Sequence, residues 1–274
     1  MYTMSMVTIE SWLAEASDLL KKAGIGSARL DAELILAHTI RKNRTYLHAH
    51  TDETLSERHL LIADARLRMR LERIPVAYII GHKDFYGRLF KTTPAALIPR
   101  PESEAIIELL QKIHPVGKKH LVDIGTGTGC LGITAKLEYP ELDVTLVDIS
   151  QHALNLAREN AERLGAKVHL HKGDLLRGWI EPIDIIIANL PYVDKKWDVS
   201  PETYHEPSLA LYADDNGMSL IEQLTLQASR LLPSKGYLVL ESDQRQHATL
   251  IQFAKQHSFI HLETNGLANL FARN

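Results

Sequence analysis

The sequence predicts an α/β fold: a mostly parallel seven-stranded sheet with a C-terminal antiparallel hairpin, a small N-terminal helical domain and a hairpin connector. Three observations predict it. From about residue 95 onward, short apolar runs alternate with amphipathic helical stretches, the order expected of a parallel sheet covered on both faces. Two of those runs end in loops, Asp123-Ile124-Gly125-Thr126-Gly127-Thr128-Gly129 and Ala188-Asn189-Leu190-Pro191-Tyr192, placing two strand ends at one edge of a sheet. Residues 1–75 carry instead only the three- and four-residue spacing of helices.

In chain order, Trp12, Leu13, Ala16, Leu19 and Leu20 recur with helical period, as do Leu30, Leu34, Ile35 and His38. Breaks at Gly24-Ile25-Gly26 and at Thr51-Asp52-Glu53-Thr54 divide this region into three or four helices. Ser56 opens a last periodic stretch with Leu60, Leu61, Ala65, Leu67 and Leu71. Its Arg66, Arg68, Arg70 and Arg73 suit a solvated helix face, or a patch turned to a partner. From Pro75 to Pro99 the helical period stops, and 76–94 is expected to be the hairpin connector. In the third region, 95–274, a helix starts at Ser103. Strands are expected at His120–Ile124, Asp143–Asp148, Lys167–His171, Ile183–Ala188 and Tyr237–Glu241. Helices are expected at Cys130–Glu138, Gln151–Leu164, Gly217–Leu231 and Gln244–Gln256, with a closing hairpin over Phe259–Thr264 and Ala268–Arg273.

Bulk properties narrow the function. With 274 residues, 45% of them hydrophobic, the chain can hold one sizeable core and a smaller domain. A net charge of -3 gives no broad positive field, so no stable nucleic-acid partner is expected. Cys130 is the only cysteine, which forbids an intrachain disulfide and suits a reducing, cytoplasmic location. No apolar run approaches the roughly 20 residues of a membrane span, so no membrane association is expected. The 14 histidines are scattered without metal-ligand spacing, and no metal is expected.

The loop Gly125-x-Gly127-x-Gly129 would let the backbone close on a bulky cofactor before a helix begins, a pattern shared with dinucleotide enzymes. Asp148 ends the next strand, where it can accept from both hydroxyls of a ribose; a turn or cap role is the plainer alternative. Asp174 can receive an exocyclic adenine amine, with the base packed on Leu175 or Ile149. A dinucleotide leaves the Asn189-Leu190-Pro191-Tyr192 loop unexplained. That loop can hold a planar nitrogen nucleophile against an alkyl donor. Methylating an amide nitrogen is hard because its lone pair is delocalised. The Asn189 side-chain oxygen and the Leu190 carbonyl can accept the two N–H groups and aim the nitrogen, while Pro191 stiffens the turn and Tyr192 covers the planar group.

These residues resemble those of the class I S-adenosylmethionine-dependent methyltransferases, and within them the protein-(glutamine-N5) methyltransferases that modify peptide chain release factors. The resemblance also rests on Ala96-Leu97-Ile98-Pro99-Arg100-Pro101-Glu102-Ser103-Glu104 ahead of the glycine loop, and on His205-Glu206-Pro207, Leu209-Ala210-Leu211 and Asp215-Asn216-Gly217 after the second loop. It implies a class I methyltransferase-like fold and S-adenosylmethionine as cofactor, leaving as S-adenosylhomocysteine. The cofactor would be held by Gly125, Thr126, Gly127, Thr128, Gly129, Asp148, Asp174, Leu175 and Asn189. It further implies catalysis by Asn189, Pro191 and Tyr192, and substrate binding by those three with Leu190 and Arg100. The substrate implied is the glutamine of a Gly-Gly-Gln loop in a release factor, the helical domain 1–75 serving as the recognition platform of a monomer.

Three departures stand out. Leu190 replaces the usual proline, keeping the carbonyl and giving up rigidity. Leu175 stands where relatives often carry a large aromatic. Asn265-Gly266-Leu267-Ala268-Asn269 lacks an acid and arginine pair, so the contact closing the last hairpin onto the sheet is expected to be missing. The alternatives are glutamine methylation of a ribosomal protein, adenine-N6 methylation of nucleic acid, or a noncatalytic binding module. The acids Asp194, Asp198, Glu202, Glu206, Asp214 and Asp215, against only Lys195 and Lys196, argue for protein over nucleic acid.

Overall fold

The computed structural model describes residues 6–274. They form two compact units: a helical one that runs to Gly81 and takes in Pro201–His205, and a sheet unit of His82–Ser200 with Glu206–Asn274.

The helical unit contains α1 (Ile9–Lys22), α2 (Ala28–Ile40), α3 (Arg44–Ala49), α4 (Glu57–Leu71) and α5 (Val76–Ile80). Thr8 and Ser11 form a reciprocal capping box on α1, while Asn43 and Ser56 cap α3 and α4 through their side chains. Trp12, Leu13, Leu20, Ile35, Leu36, Leu47 and Leu67 make the core, whereas Leu19, Leu30 and Leu61 are exposed beside the buried stripe. The segment Tyr78-Ile79-Ile80, read as hairpin, is helical. Pro75 starts that turn with a preset φ, and Gly81 ends it at φ 79.

The arginine stripe on α4 also differs from expectation. Arg70 is buried, donating from Nε to Asp31 Oδ2 at 2.7 Å and from Nη2 to Glu202 Oε1 at 2.9 Å. Arg73 donates to Glu202 and to the Ala23 carbonyl, and Arg66 donates to Thr39 Oγ1. Of the four, Arg68 alone is exposed. A desolvated guanidinium needs carboxylates around it, and α2 with the 201–205 segment supplies them, so Arg70 and Arg73 are internal structure and not a solvated face.

The sheet unit opens with an antiparallel hairpin, β1 (His82–Phe85) and β2 (Arg88–Lys91). A 3-10 turn at Pro101–Ser103 then leads into α6 (Glu104–Ile113). Next come β3 (His120–Ile124), α7 (Cys130–Glu138), β4 (Asp143–Asp148), α8 (Gln151–Leu164), β5 (His169–Lys172) and β6 (Ile185–Ala188). The chain ends with α9 (Ser219–Leu231), β7 (Tyr237–Glu241), α10 (His247–Gln256), β8 (Phe259–Asn265) and β9 (Ala268–Arg273). The expected α10 start at Gln244 is a 3-10 turn held by an Asp243/Gln246 capping box. The strand order is β5-β4-β3-β6-β7-β9-β8, parallel except where β9 runs against β7 and β8.

Alternate residues of each central strand serve opposite faces. Leu121, Ile185, Ile187 and Val239 meet one helical layer, and Val122, Ile186, Ala188 and Leu238 the other. The chain leaves β3 toward β4 and β5, then returns to place β6 on the other side of β3, which makes a topological switch point. Ile124 is level with both Val147 and Ala188, and Ala188 with Leu240, so the loops after these strands emerge together. That register creates the cleft.

The last hairpin is closed after all. Asn269 is fully buried, donates to Ser242 Oγ at 3.4 Å and accepts from Thr264 Oγ1 at 2.8 Å; the Ser242 N–H donates to the Leu267 carbonyl at 3.0 Å. A neutral amide does the tethering expected of a charged pair. No helix among the described residues is long and apolar enough to cross a membrane.

Candidate active site

The glycine loop turns on hydrogen bonds supplied by β4: the Gly125 and Thr126 N–H groups both donate to the Val147 carbonyl, at 2.9 and 3.0 Å. Gly125 has φ +69, and a Cβ there would lie 2.9 Å from Leu190 Cδ2, so only glycine lets the second loop pack on the first. Beneath the loop, Asp123 is fully buried and accepts from Thr126 Oγ1 at 2.6 Å and from the Gly132 N–H at 2.9 Å, while its Oδ1 has no partner. Burial pushes its carboxyl up to about 6. Because this folded value lies above the unfolded one, the folded state binds the extra proton as pH falls through 6. The strain of the buried charge is therefore complete above that pH and relieved below it. Asp123→Asn is expected to flatten this dependence: denaturant titrations at pH 5 and 8 should differ less in the variant, by on the order of 1–3 kcal/mol. Parallel curves for both proteins would assign the dependence elsewhere.

Asp148, at the end of β4, accepts from the Gly127 N–H through Oδ2 at 3.0 Å and from the Ser150 N–H through Oδ1 at 2.9 Å. It braces both loops and lines the cleft, and burial raises its pKa despite those bonds. The helix cap is Ser150, which accepts from the Ala153 N–H. Ile149 beside it is 49% exposed, an apolar surface set in the cleft wall. Asp174 lines the same wall, with Arg177 at 3.5 Å and 41% of its side chain exposed. Leu175 is buried at φ 50, a backbone region an aromatic would occupy no more easily.

On the opposite wall Asn189 donates from Nδ2 to Ser103 Oγ at 2.8 Å. Leu190 is buried in the core of this face, so packing supplies rigidity that a proline ring would otherwise give. Asn189, Leu190 and Pro191 line the cleft; Tyr192 packs on the core behind them, its hydroxyl donating to Glu241 Oε1 at 3.0 Å. Burial, and then the Glu241 charge, push that phenol upward. Its main-chain carbonyl accepts from Gln246 Nε2 at 2.9 Å, and the same nitrogen donates to the Asn216 carbonyl at 2.8 Å.

The cleft thus brings together Gly125, Thr126, Gly127, Thr128, Asp148, Asp174, Leu175, Asn189, Leu190, Pro191 and Arg100. Gly129 lies at the entry to α7, at φ 83. Arg100 does not stand free: its Nη2 donates to the buried Glu206, whose Oε2 accepts the Ile98 N–H at 3.1 Å. Asn160, fully buried on α8, ties Lys91 of β2 to the Thr128 carbonyl. Ser103, Asn160, Glu206, Glu241 and Gln246, which brace the loops around the cleft, were not singled out in the sequence as site candidates. A usable signal existed for Glu241, a lone acid ending the apolar run Leu238-Val239-Leu240 at the loop-bearing edge.

The acidic segment is also less open than its composition suggests. Glu202 and Glu206 are spent on arginines, Asp194 is buried and accepts the Lys196 N–H, and Asp214 pairs with Lys195. Asp198 and Asp215 are exposed. Composition therefore overstates the free negative charge of this segment, because Glu202 and Glu206 are paired with arginines and Asp214 with Lys195.

Residues 11–81 match a family described as the PrmC N-terminal domain, and 101–206 one described as the methyltransferase small domain. Among curated proteins, the chain is 35% identical over 241 residues to a release factor glutamine methyltransferase of Deinococcus radiodurans, covering 87% of each. It is 36% identical to one of Bacillus subtilis, over 89% of this chain and 88% of the relative. Among solved structures, a methyltransferase from Pyrococcus furiosus matches with TM-score 0.52 and 18% identity, over 77% of this chain and 98% of that one. A Thermus thermophilus 16S rRNA N2 G1207 methyltransferase in complex with AdoMet and guanosine matches with TM-score 0.51 and 20% identity, over 70% of this chain and 49% of that one; both neighbours speak for the fold alone. With its sheet, cleft and near full-length relatives in agreement, the chain belongs to the release factor glutamine methyltransferase family.

Proposed function

We propose that the protein transfers a methyl group from S-adenosylmethionine to the side-chain N5 of the glutamine in the Gly-Gly-Gln loop of peptide chain release factors. The observation that carries this reading is the Asn189 amide. Its nitrogen donates to Ser103 in the wall of the cleft that Asn189 lines, which leaves its oxygen available as the acceptor that a substrate amide N–H needs.

The residues present fit the cofactor. Asp148 retains lone pairs for a ribose diol, Asp174 for an adenine amine, and Ile149 with Leu175 gives an apolar seat for the base. The Gly125–Gly129 loop lets the main chain approach closely. When bound, the cofactor supplies an electrophilic methyl on a sulfonium. Asn189 and the Leu190 carbonyl would bind the two N–H groups of the substrate and orient its nitrogen; neither has to be a strong base, since the nitrogen becomes acidic as positive charge develops on it. Replacing Asp148 by Ala is expected to weaken cofactor binding by about 1–3 kcal/mol. Calorimetry checks this, and an unchanged dissociation constant would leave Asp148 only its bracing of the two loops.

In this reading domain 1–75 grips the release factor, 76–94 connects, and 95–274 carries the chemistry, in a cytoplasmic monomer with no metal and no stable nucleic-acid partner. Peptide mapping after incubation with labelled S-adenosylmethionine tests it, with release factors, ribosomal protein and nucleic acid in parallel. Label on the Gly-Gly-Gln glutamine is the expected result. Label on another glutamine or on adenine would overturn the substrate and keep only methyl transfer to a planar nitrogen.

A further inference from the structure

Glu241 ends β7 directly behind the Asn189 loop, and its side chain is 1% exposed. Its Oε1 accepts the Tyr192 hydroxyl, while its Oε2 has no hydrogen-bond partner among the described residues. Leaving a carboxylate oxygen unpaired in a dry wall is unfavourable, and such a group persists where it does something else. Ser103 and Asn189 lie close enough for their polar groups to favour the charge of this carboxylate without closing a hydrogen bond to Oε2, and Ser103 Oγ is the atom to which Asn189 Nδ2 donates.

An ionised carboxylate accepts hydrogen bonds and donates none, whereas an asparagine amide presents a donor end and an acceptor end of nearly equal size. Beside Glu241, an Asn189 flipped about its terminal torsion would turn Oδ1 toward an anion. The unflipped amide turns Nδ2 that way and leaves Oδ1 for the cleft. Resting on the amide-methylation reading, we propose that Glu241 is a positioning residue, which sets the direction of the Asn189 amide and anchors Tyr192 so that Asn189 Oδ1 faces the substrate nitrogen. Neither residue's own position in the loop accomplishes this, because Ser103 Oγ alone can accept from Nδ2 or donate to Oδ1 equally well.

Protonating Glu241 would make it a donor and remove the discrimination. Burial raises its pKa above the ordinary carboxylate value, opposed by the Ser103, Tyr192 and Asn189 hydrogens and reinforced by the Glu102 charge from the 3-10 turn. The other titratable groups acting there are Cys130 on α7 and Tyr192, both pushed upward by burial and so protonated through the acid range, and Asp243, whose charge reaches Tyr192.

The test compares wild type, Glu241→Gln and Glu102→Gln in the full chain. Glu241→Gln keeps the volume and presents an ambivalent amide, so kcat should fall by about 10- to 100-fold, with cofactor dissociation constant and melting temperature near wild type. The wild-type kcat should decline as pH drops through the raised Glu241 value, the decline should be missing from Glu241→Gln, and Glu102→Gln should move it to lower pH. A wild-type kcat in Glu241→Gln, or an acid decline that survives there, overturns the role. Loss of cofactor binding in that variant also overturns it, in favour of plain structural support. Should Glu241→Gln not fold, Ser103→Ala replaces it and is expected to lower kcat in the same way.

A substrate-free readout separates this from failure of the methylation reading. The Asn189 side-chain amide resonance, assigned by its loss in Asn189→Asp, should shift with pH in the wild type and not in Glu241→Gln. A resonance that ignores both pH and the Glu241 substitution rejects the positioning role even if release factor is methylated. Absence of label on the glutamine rejects the substrate and leaves the resonance to decide the role of Glu241.

Discussion

Asn189→Ala will lower the chemical step by more than about 100-fold and leave cofactor affinity close to that of the parent protein. The reason is the division of labour inside one amide. Nδ2 donates to Ser103 in the wall and fixes position, and in the proposed reaction Oδ1 is the acceptor for the substrate N–H at the cleft that Asn189 lines. Alanine removes both at once, so the nucleophilic nitrogen loses an orienting bond and the Ser103 hydroxyl loses its donor. The proposed cofactor wall of Gly125–Gly129, Asp148 and Asp174 is held by bonds that do not involve the Asn189 side chain, from the Gly125 and Thr126 N–H groups to the Val147 carbonyl and from the Gly127 N–H to Asp148. Single-turnover kinetics on a Gly-Gly-Gln substrate, with calorimetry for the cofactor, measures the two quantities separately. Equal turnover by both proteins would remove Asn189 from the chemistry.

Gly217→Ala should be the most damaging substitution outside the loops that line the cleft. Gly217 has φ +81, and a Cβ there would lie 1.9 Å from the Tyr192 carbonyl oxygen and 2.5 Å from Gln246 Nε2. Neither neighbour can yield cheaply. The carbonyl belongs to the chemistry loop, and Gln246 Nε2 is the group that bonds it to the Asn216 carbonyl. Backbone strain and the clash together should cost more than about 2 kcal/mol, read as a lower urea midpoint. Turnover should fall in the molecules that remain folded, because relief of the clash moves Tyr192 and with it the Glu241 bond. A variant with the parental midpoint and turnover would show that the loop tolerates displacement at Tyr192.

Much of this was legible in the chain. The strand ending at Ile124 and the one ending at Ala188 carry local signals, apolar β-branched runs that stop at Gly or Asn, and these survive in any tertiary setting. Caps such as Thr8, Asn43 and Ser56 are likewise local, since the bond they make reaches only three residues ahead. Asp148 and Asn189 stood out in the sequence because each directly follows or ends such a strand. Where local signals were weak, boundaries moved: β5 begins at His169, two residues later than the pattern suggested, and Tyr78–Ile80 folded as a helical turn.

By itself, then, the sequence determined most helices and strands outside the connector, where the cleft-forming loops fall, and which residue types those loops present. Tertiary structure decided what each side chain is free to do. Arg70 and Glu206 read as surface charges until burial and pairing made them struts, and the buried Asn269 closes a hairpin whose charged closure was missing from the sequence. Glu241 acquired its place only when β7 paired beside β6 and brought it against Tyr192. The physical reason is range. Backbone preference and hydrophobic period act over a few neighbours in the chain, whereas desolvation and hydrogen-bond direction depend on groups that folding alone brings together.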